Sequence, residues 1–498
     1  AGIYSETVVI DKDGISLIGA DSATTIIDPP GDSTNTSLYG IYADAKTNLH
    51  ISNLRITDCY YGIYFNNVDT SVINNVWVEW CGKTGGSGAG ITLRNGSDSN
   101  IIQNCYVYKN IYGLFIYTNS NNNTITNNLC SNNNYGLFIY TNSNNNIIIN
   151  NITLNNVYIG LNIGFSSNNN IENNISSNNN YGFYIETTDS NYIKNNTISN
   201  NEFGLYLYSS FSNNVISNKS INNDSGFYID SSGTNYITNN TILNNKEGLI
   251  DKSSYNNYIV QNDIRGNTEY QIILKESTNN ETIVKNNIIT GNTNPDSAVI
   301  NNTSNSLMLI NNYWQTTDSG TIKNRLINTG GGNLLYMPYR LTEIDTGENG
   351  DTIAPAAPDT VGVSVFILGC TVSWSATNTN EEIGGVLTDL GGYKIYRSNN
   401  AETSNWGAAI AIVSAGVLQY VDTNIVSGET YYYRVTAFDG HSPYPNESWY
   451  SDSIACSGMI PYVGWTAAIE PMGANQGVSE GSIAWGDYDN DGDLDIAV

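Results

Sequence analysis

Tyr112-Gly113-Leu114-Phe115-Ile116-Tyr117 returns 23 residues later as Tyr135-Gly136-Leu137-Phe138-Ile139-Tyr140, with Ile125-Thr126-Asn127-Asn128 between them. The same two words recur outward. Tyr61-Gly62-Ile63-Tyr64-Phe65 lies upstream, and Tyr181-Gly182-Phe183-Tyr184-Ile185 lies downstream. Ile193-Lys194-Asn195-Asn196 and Ile237-Thr238-Asn239-Asn240 keep the second word in phase. The glycines fall at 40, 62, 90, 113, 136, 160, 182, 204, 226 and 248, and Gln271 takes the next place. Apart from one interval of 28 that holds the loop Lys83-Thr84-Gly85-Gly86-Ser87-Gly88, the spacings are 22 to 24. The first Asn of the second word falls at 74, 104, 127, 150, 173, 195, 218 and 239, and Gln261, Asn286 and Asn311 continue the column.

A fixed period of this length means a solenoid or an array. Each repeat holds short alternating runs separated by Asn, Ser and Gly, which is the strand-and-turn signal. A unit this small cannot bury its own apolar side, but copies stacked in register bury a continuous column. The shape that meets this need is a parallel β-helix with coils about 4.8 Å apart. A recurring Asn can bond its counterpart in the next coil, and a recurring Gly suggests a tight corner or a positive φ. A helical solenoid would show a 3.6-residue apolar period, and a propeller a period near 40.

Composition agrees. The chain has 498 residues with 36 Tyr, 46 Gly and only 10 Pro, and charged residues are 13%. Few helix formers and many Asn, Tyr and Gly favour sheet and tight turns. With 46 acids against 19 bases the net charge is −27. Nucleic acid and anionic membrane surfaces are thereby excluded as general partners. No run of 18 apolar residues exists, so no direct membrane insertion is expected of this segment.

The repeats resemble right-handed β-helix proteins of the NosD-like and pectate-lyase-like surface class over about residues 1–345. Asn311-Asn312-Tyr313-Trp314-Gln315-Thr316-Thr317-Asp318 with Met337-Pro338-Tyr339 looks like that family's closing coil, except that Gln315 stands where Gly is usual. Ala1-Gly2-Ile3-Tyr4 resembles the family's second coil, so further chain is expected before Ala1. Residues 346–358 read as a linker, with Pro355 and Pro358. Residues 359–460 resemble a fibronectin type III sandwich through Trp374, Gly428-Glu429-Thr430-Tyr431 and a Cys370/Cys456 pair. The fold expected is therefore all-β: the β-helix, the sandwich and, from 461 to 498, the start of a propeller-type repeat.

That last stretch carries Asp487, Asp489, Asp491, Asp493 and Asp495 around Gly492. Alternating carboxylates on a sharply turning loop aim several oxygens at one centre, as calcium requires. Val498 stands where an EF-hand needs Glu, and the stretch instead resembles the calcium loop of FG-GAP/VCBS repeats. Calcium is the expected cofactor, with a solvated acidic turn as the plainer reading. One such repeat cannot close a propeller, so chain is also expected after Val498.

Related β-helices include polysaccharide lyases and hydrolases, which need clustered carboxylates with a base. The position four after each Gly holds Asp44, Asn66, Arg94, Tyr117, Tyr140, Gly164, Glu186, Tyr208, Asp230, Lys252 and Lys275. Glu186 and Asp230 are two coils apart, about 10 Å, too wide for a retaining pair and at the edge of an inverting one, and one such pair among so many positions is best read as chance. No catalytic residue is assigned, and a non-enzyme is expected. His50 reads as a corner hydrogen-bonder. Copper, attached to NosD by name, needs His, Met and Cys clusters, and the chain has two His and four Met.

Positions one and three after each Gly are apolar and should face inward, so position two faces out. It holds Tyr42, Tyr64, Phe115, Phe138, Tyr184, Tyr206 and Tyr228. Such a stripe can pack against another protein, stack on sugar rings, or only stabilise the stacking of coils. Six cysteines suggest an oxidising compartment: Cys59 with Cys81, Cys105 with Cys130 out of phase, and Cys370 with Cys456. Candidate N-glycosylation sites are Asn95, Asn151, Asn174, Asn218, Asn223, Asn280 and Asn446. The leading functional reading is a non-enzymatic structural or adhesive protein of an extracellular layer, sheath or filament, partnered by itself or other surface proteins. A carbohydrate-binding adhesin is the alternative, with polysaccharide as partner, and a lyase or hydrolase the second.

Overall fold

The computed structural model describes residues 1–31, 35–82, 86–276, 282–289, 298–337, 339–341, 353–366, 369–380, 386–401, 403, 406–426, 428–442, 445–457, 484–486 and 495–497. Three parallel sheets of 13, 14 and 14 strands run the length of the repeat region. Successive strands of the chain visit the first, second and third sheet in turn, so the chain winds a right-handed parallel β-solenoid. A typical coil places Ile147–Ile149 in the third sheet, Ile152–Leu154 in the first and Ile159–Gly164 in the second.

Inward columns form the core. The third sheet contributes Ile102, Ile125, Ile148, Ile171, Ile193 and Val215, all 0% exposed. The second sheet contributes two columns per coil, such as Leu114 and Ile116, then Leu137 and Ile139. These are the positions one and three after each Gly, inward as their apolar character requires.

The glycines themselves correct the sequence reading. Gly113, Gly136 and Gly160 are not among the positive-φ residues. Their role is close approach: a Cβ on Gly136 would lie 2.5 Å from the Gly160 carbonyl oxygen. The left-handed corners belong to Asn instead. Asn127, Asn150, Asn173 and Asn195 have φ of 56°, 58°, 56° and 56°, a region Asn tolerates better than other non-Gly residues.

The buried ladder is built by the second Asn of the pair, not the first. Asn128 Nδ2 donates to Asn151 Oδ1 at 3.0 Å, Asn151 to Asn174 at 3.1 Å, and Asn174 to Asn196 at 3.0 Å. Each amide also satisfies backbone at the corner, as Asn128 Nδ2 does with Ile102 O at 2.8 Å. Asn74 and Asn218 were out of phase in the sequence column. Asn75 is the left-handed residue, and Asn218 already belongs to the buried ladder. Two further ladders line the other corners, one through Asn133, Asn156, Asn179 and Asn201 and one through Asn123, Asn146, Asn169 and Asn191.

Cys59 and Cys81 precede Asn110 in the first of these two columns, where Asn110 Oδ1 accepts from Cys81 N at 2.9 Å. Their sulfurs are 3.2 Å apart and both are buried. Cys105 occupies the corner ahead of Asn128, whereas Cys130 is an inward residue paired with Val107. Both are buried free thiols.

The closing coils bury Trp314 completely. Gln315 takes φ 57°, so it holds the left-handed conformation that makes Gly usual there. A short helix, Ser319–Asn324, follows, capped by Asp318, which accepts from Thr321 N at 2.9 Å. The capping pattern Asp318-Ser319-Gly320-Thr321 was legible but not read from the sequence.

Beyond the solenoid a sandwich packs a three-stranded antiparallel sheet, Val361–Phe366, Gly369–Trp374 and Gln419–Asp422, against a four-stranded one. The second sheet runs Ala411–Ser414, Leu390–Ser398, Thr430–Asp439 and Ile454–Ser457. Trp374, Tyr393 and Tyr433 fill its core, and the disulfide Cys370–Cys456 joins the two sheets. Tyr431 Oη accepts from Val426 N at 3.3 Å, a tyrosine-corner contact. Farther on, Ala484–Gly486 pairs antiparallel with Asp495–Ala497. Asp487, Asp489, Asp491 and Asp493 lie between these strands and outside the described residues, as does the side chain of Asp495.

Candidate functional site

The outer face of the second sheet is the candidate. Its strands are twice as long as those of the other two sheets in most coils, so it offers the widest surface. Tyr42 stacks on Tyr64 at 5.9 Å between centroids, Phe115 meets Phe138 at 5.7 Å, Tyr184 meets Tyr206 at 5.4 Å, and Tyr206 stacks on Tyr228 at 4.9 Å. Thr92 and Asn162, both fully buried, interrupt this column.

All seven residues project outward, but they are less open than a free stripe. Tyr64 and Phe115 are only 8% and 9% exposed. The sequence reading missed why. The residue before each Gly also projects outward, and its ring packs against the column: Tyr112 lies 4.5 Å from Phe115, and Tyr181 lies 5.2 Å from Tyr184. Tyr39, Tyr61, Tyr112, Tyr135, Tyr181 and Phe203 therefore belong to this face. The signal was the Tyr of Tyr-Gly, hidden by the assumption of strict alternation through the Gly. Strand pairing runs Tyr112 with Tyr135 and then Leu114 with Leu137, passing over the Gly. Rings thus turn much of their π surface to each other and present edges and hydroxyls to solvent.

Charged groups rim the face. Arg94 lies over Tyr64 and Tyr117, with its Cζ 5.6 and 4.9 Å from the ring centroids, and so bridges the Thr92 break. Asp230 accepts from Tyr206 Oη at 3.3 Å and from Lys252 Nζ at 3.4 Å. Lys252 also reaches Glu276 at 3.6 Å. Glu186 and Asp230 both pair in register with Tyr208, which separates them. Burial pushes the Glu186 carboxyl up, against hydrogen bonds from Asn162 and Tyr184 that lower it. Burial likewise raises Tyr184 and Tyr206, reinforced by the neighbouring Glu186 and Asp230 carboxylates. These phenols stay neutral and act as donors at neutral pH. The arrangement can grip a polar partner through hydroxyl donors and carboxylate acceptors on a stiff aromatic base.

Other sequence candidates are placed elsewhere. His50 lies in the strand His50–Ser52, not at a corner, with its Nε2 3.2 Å from Ser52 Oγ. Glycosylation is corrected at Asn151, Asn174, Asn218, Asn223 and Asn446, which are at most 3% exposed and whose amide nitrogens are hydrogen-bonded. A glycan cannot sit on a nitrogen enclosed in this way in the folded chain. Asn95 is exposed, and Asn280 lies outside the described residues.

With that geometry in place, the family model described as periplasmic copper-binding protein (NosD) matches residues 1–163, 82–256 and 217–336. No curated protein matches the chain. Among solved structures, the A-module of a mannuronan C-5 epimerase from Azotobacter vinelandii is similar at 15% identity, covering 67% of this chain and 89% of that one, with a TM-score of 0.41. The pre-mature gene product 12 of bacteriophage phi29 is similar at 14% identity over 61% of this chain and 56% of that one, TM-score 0.46. A Fn3-like protein from Clostridium thermocellum is similar at 20% identity over 20% of this chain and 90% of that one, TM-score 0.16. None of these likenesses assigns an activity here.

The family's description raises copper. Among the described residues no group of three or more His, Cys, Asp or Glu side chains is arranged to hold a metal. The nearest approach to a soft-donor set is Cys59 with Cys81, both 0% exposed and in contact with each other. Burial holds the Cys59 thiol well above its usual range, followed in effect by the bond to Cys81. Two fully buried cysteines in contact with each other, with no further donor beside them among the described residues, do not fit a copper site, which needs a larger donor set and an entry path. No helix among the described residues is long and apolar enough to cross a membrane.

Proposed function

The chain belongs to the NosD family of β-helix proteins, and from that premise we propose that it is a non-enzymatic structural or adhesive protein outside the cytoplasm, working in a surface layer, sheath or filament. The observation that carries this reading is the build of the rod. Three buried Asn ladders and an outer column of packed rings brace each coil against the next. Such bracing suits a stiff spacer that presents one long face. The tyrosine face supplies the contact surface, with hydroxyls and the Asp230–Lys252–Glu276 rim as polar contacts. The sandwich acts as a spacer, and the Asp487–Asp495 run holds calcium that stabilises the C-terminal part. Light scattering and negative-stain microscopy of the whole chain, with calcium and with chelator, test this proposal.

One observation favours a second reading, a face that binds or acts on polysaccharide. Glu186, Tyr208, Asp230 and Lys252 bring acceptors, donors and a raised carboxyl onto one stretch of the face. Saturable binding of a polysaccharide that Glu186→Gln weakens would favour it, and product formation would turn it toward an enzyme.

A further inference from the structure

Between the last solenoid coils and the sandwich lies a cleft of about 220 Å3, lined by Met337, Tyr339, Trp406, Arg434, Trp449 and Tyr450 among others. It is remote from the tyrosine face and independent of the function proposed for that face. Arg434 sits in the strand Thr430–Asp439 between Tyr433 and Val435, which both enter the sandwich core. Alternation therefore sends its side chain out of the sandwich and into the cleft. The guanidinium lies over two rings, with Cζ 5.0 Å from the Trp406 centroid and 5.9 Å from that of Tyr450.

What sets Arg434 apart is its hydrogen bonding. Each of the other six arginines donates to an oxygen: Arg55 to Glu79, Arg94 to Tyr64, Arg265 to Asp263, Arg325 to Trp314 O, Arg340 to Asn286 and Arg397 to Asp422. Arg434 donates to no described residue; its Nε is buried without a partner, as are those of Arg55, Arg94 and Arg340, but those three are each held by another donor atom. This occurs in a chain with 46 acids for 19 bases. The nearby Glu447 carboxylate is already held by Lys394, Tyr396 and Thr436 at 2.5, 2.6 and 2.6 Å. A planar fork of donors fixed in place by two rings is the arrangement that receives a carboxylate in two parallel bonds.

The rest of the cleft specifies what carries that carboxylate. The partly exposed Trp449 meets the buried Tyr339 edge to face at 4.4 Å, which fixes its ring, and it supplies aromatic surface beside the guanidinium. The volume is below the roughly 300–1,000 Å3 typical of sites for drug-sized ligands, so it takes a single ring. Aromatic surface beside hydrogen-bond donors suits a pyranose, whose C–H face packs on the ring while its substituents bond.

We propose that this cleft binds one acidic sugar unit, a pyranose bearing a carboxylate, with Arg434 forked onto the carboxylate and Trp449 against the ring. The net charge of −27 repels long polyanions, so the unit bound is a terminal or isolated one.

Tryptophan fluorescence of the full chain, titrated with digalacturonate, its dimethyl ester and a sulfated disaccharide, tests the site. Saturable binding of digalacturonate is expected, with the ester at least tenfold weaker. Arg434→Gln should weaken binding at least tenfold. Met337→Trp should block the cleft; Met337 is 55% exposed, so this variant leaves the fold intact even if Arg434→Gln does not. Equal binding of acid and ester, tighter binding of the sulfated sugar, no saturable binding, or binding that survives Met337→Trp would overturn the assignment.

Discussion

Asp251 stands three positions after its Gly, in an inward column where Ile229 precedes it and Leu274 follows. Thr282 Oγ1 donates to it at 2.9 Å and Asn257 Nδ2 at 3.2 Å, yet burial pushes its carboxyl up to about 6 from 3.8. The folded chain therefore binds this proton more tightly than the unfolded chain does. Stability from this group is intact below about pH 4 and falls as pH rises through 6, by roughly 3 kcal/mol in total. Asp251→Asn should raise the unfolding midpoint at pH 7 and flatten the decline between pH 4 and 6, read by thermal or urea unfolding across that range. At Gln315 the prediction has the same local character. Its φ of 57° is strained for a side chain, so Gln315→Gly should stabilise the closing coil by up to about 1 kcal/mol, seen as a higher melting temperature. Residue roles were the least legible level of the sequence. Asn was recognised as a ladder former, but which of two adjacent Asn turns inward depends on the left-handed φ of the first, which composition and spacing do not encode.

Ladders set the behaviour of each coil. Asn151 accepts from Asn128 N at 3.0 Å and donates to Ile125 O at 2.8 Å. Asn151→Leu leaves these groups buried and unpaired at about 1–3 kcal/mol each, and hydrogen exchange should show the loss concentrated in the coils beside it, as expected of a quasi-one-dimensional fold. Asn95→Ala, at an exposed corner with φ 52°, gives up the bond to Asn66 Oδ1 and the tolerance of Asn for the left-handed region, and should cost about 1 kcal/mol. Cys59 and Cys81 replace Asn at the head of one ladder, with sulfurs 3.2 Å apart on adjacent coils. In oxidised protein, peptide mapping without reductant should find Cys59 bonded to Cys81 beside the Cys370–Cys456 bridge, whereas free Cys59 and Cys81 would contradict the expectation. At this scale the sequence was most readable. Strand period and coil spacing follow from side-chain alternation, and only the pause at each Gly, which adds a second ring column to the face, escaped it.

The whole molecule joins a stiff solenoid to a sandwich through Tyr339 and Trp449. Their packing was not legible beforehand, because surface aromatics in two separate sequence regions give no sign that they meet. The reach of the candidate site was partly legible: seven outward rings were identified, while their mutual packing came from the fold. The central claim is that the tyrosine face is a contact surface of an assembling protein. Light scattering with negative-stain microscopy on the 498-residue chain tests it most directly, in calcium, in chelator, and with Tyr184, Tyr206 and Tyr228 all changed to Ser. The account predicts ordered filaments or sheets in calcium that disperse in chelator and do not form with the triple variant. Monodisperse monomers from the unaltered chain in both conditions would contradict it.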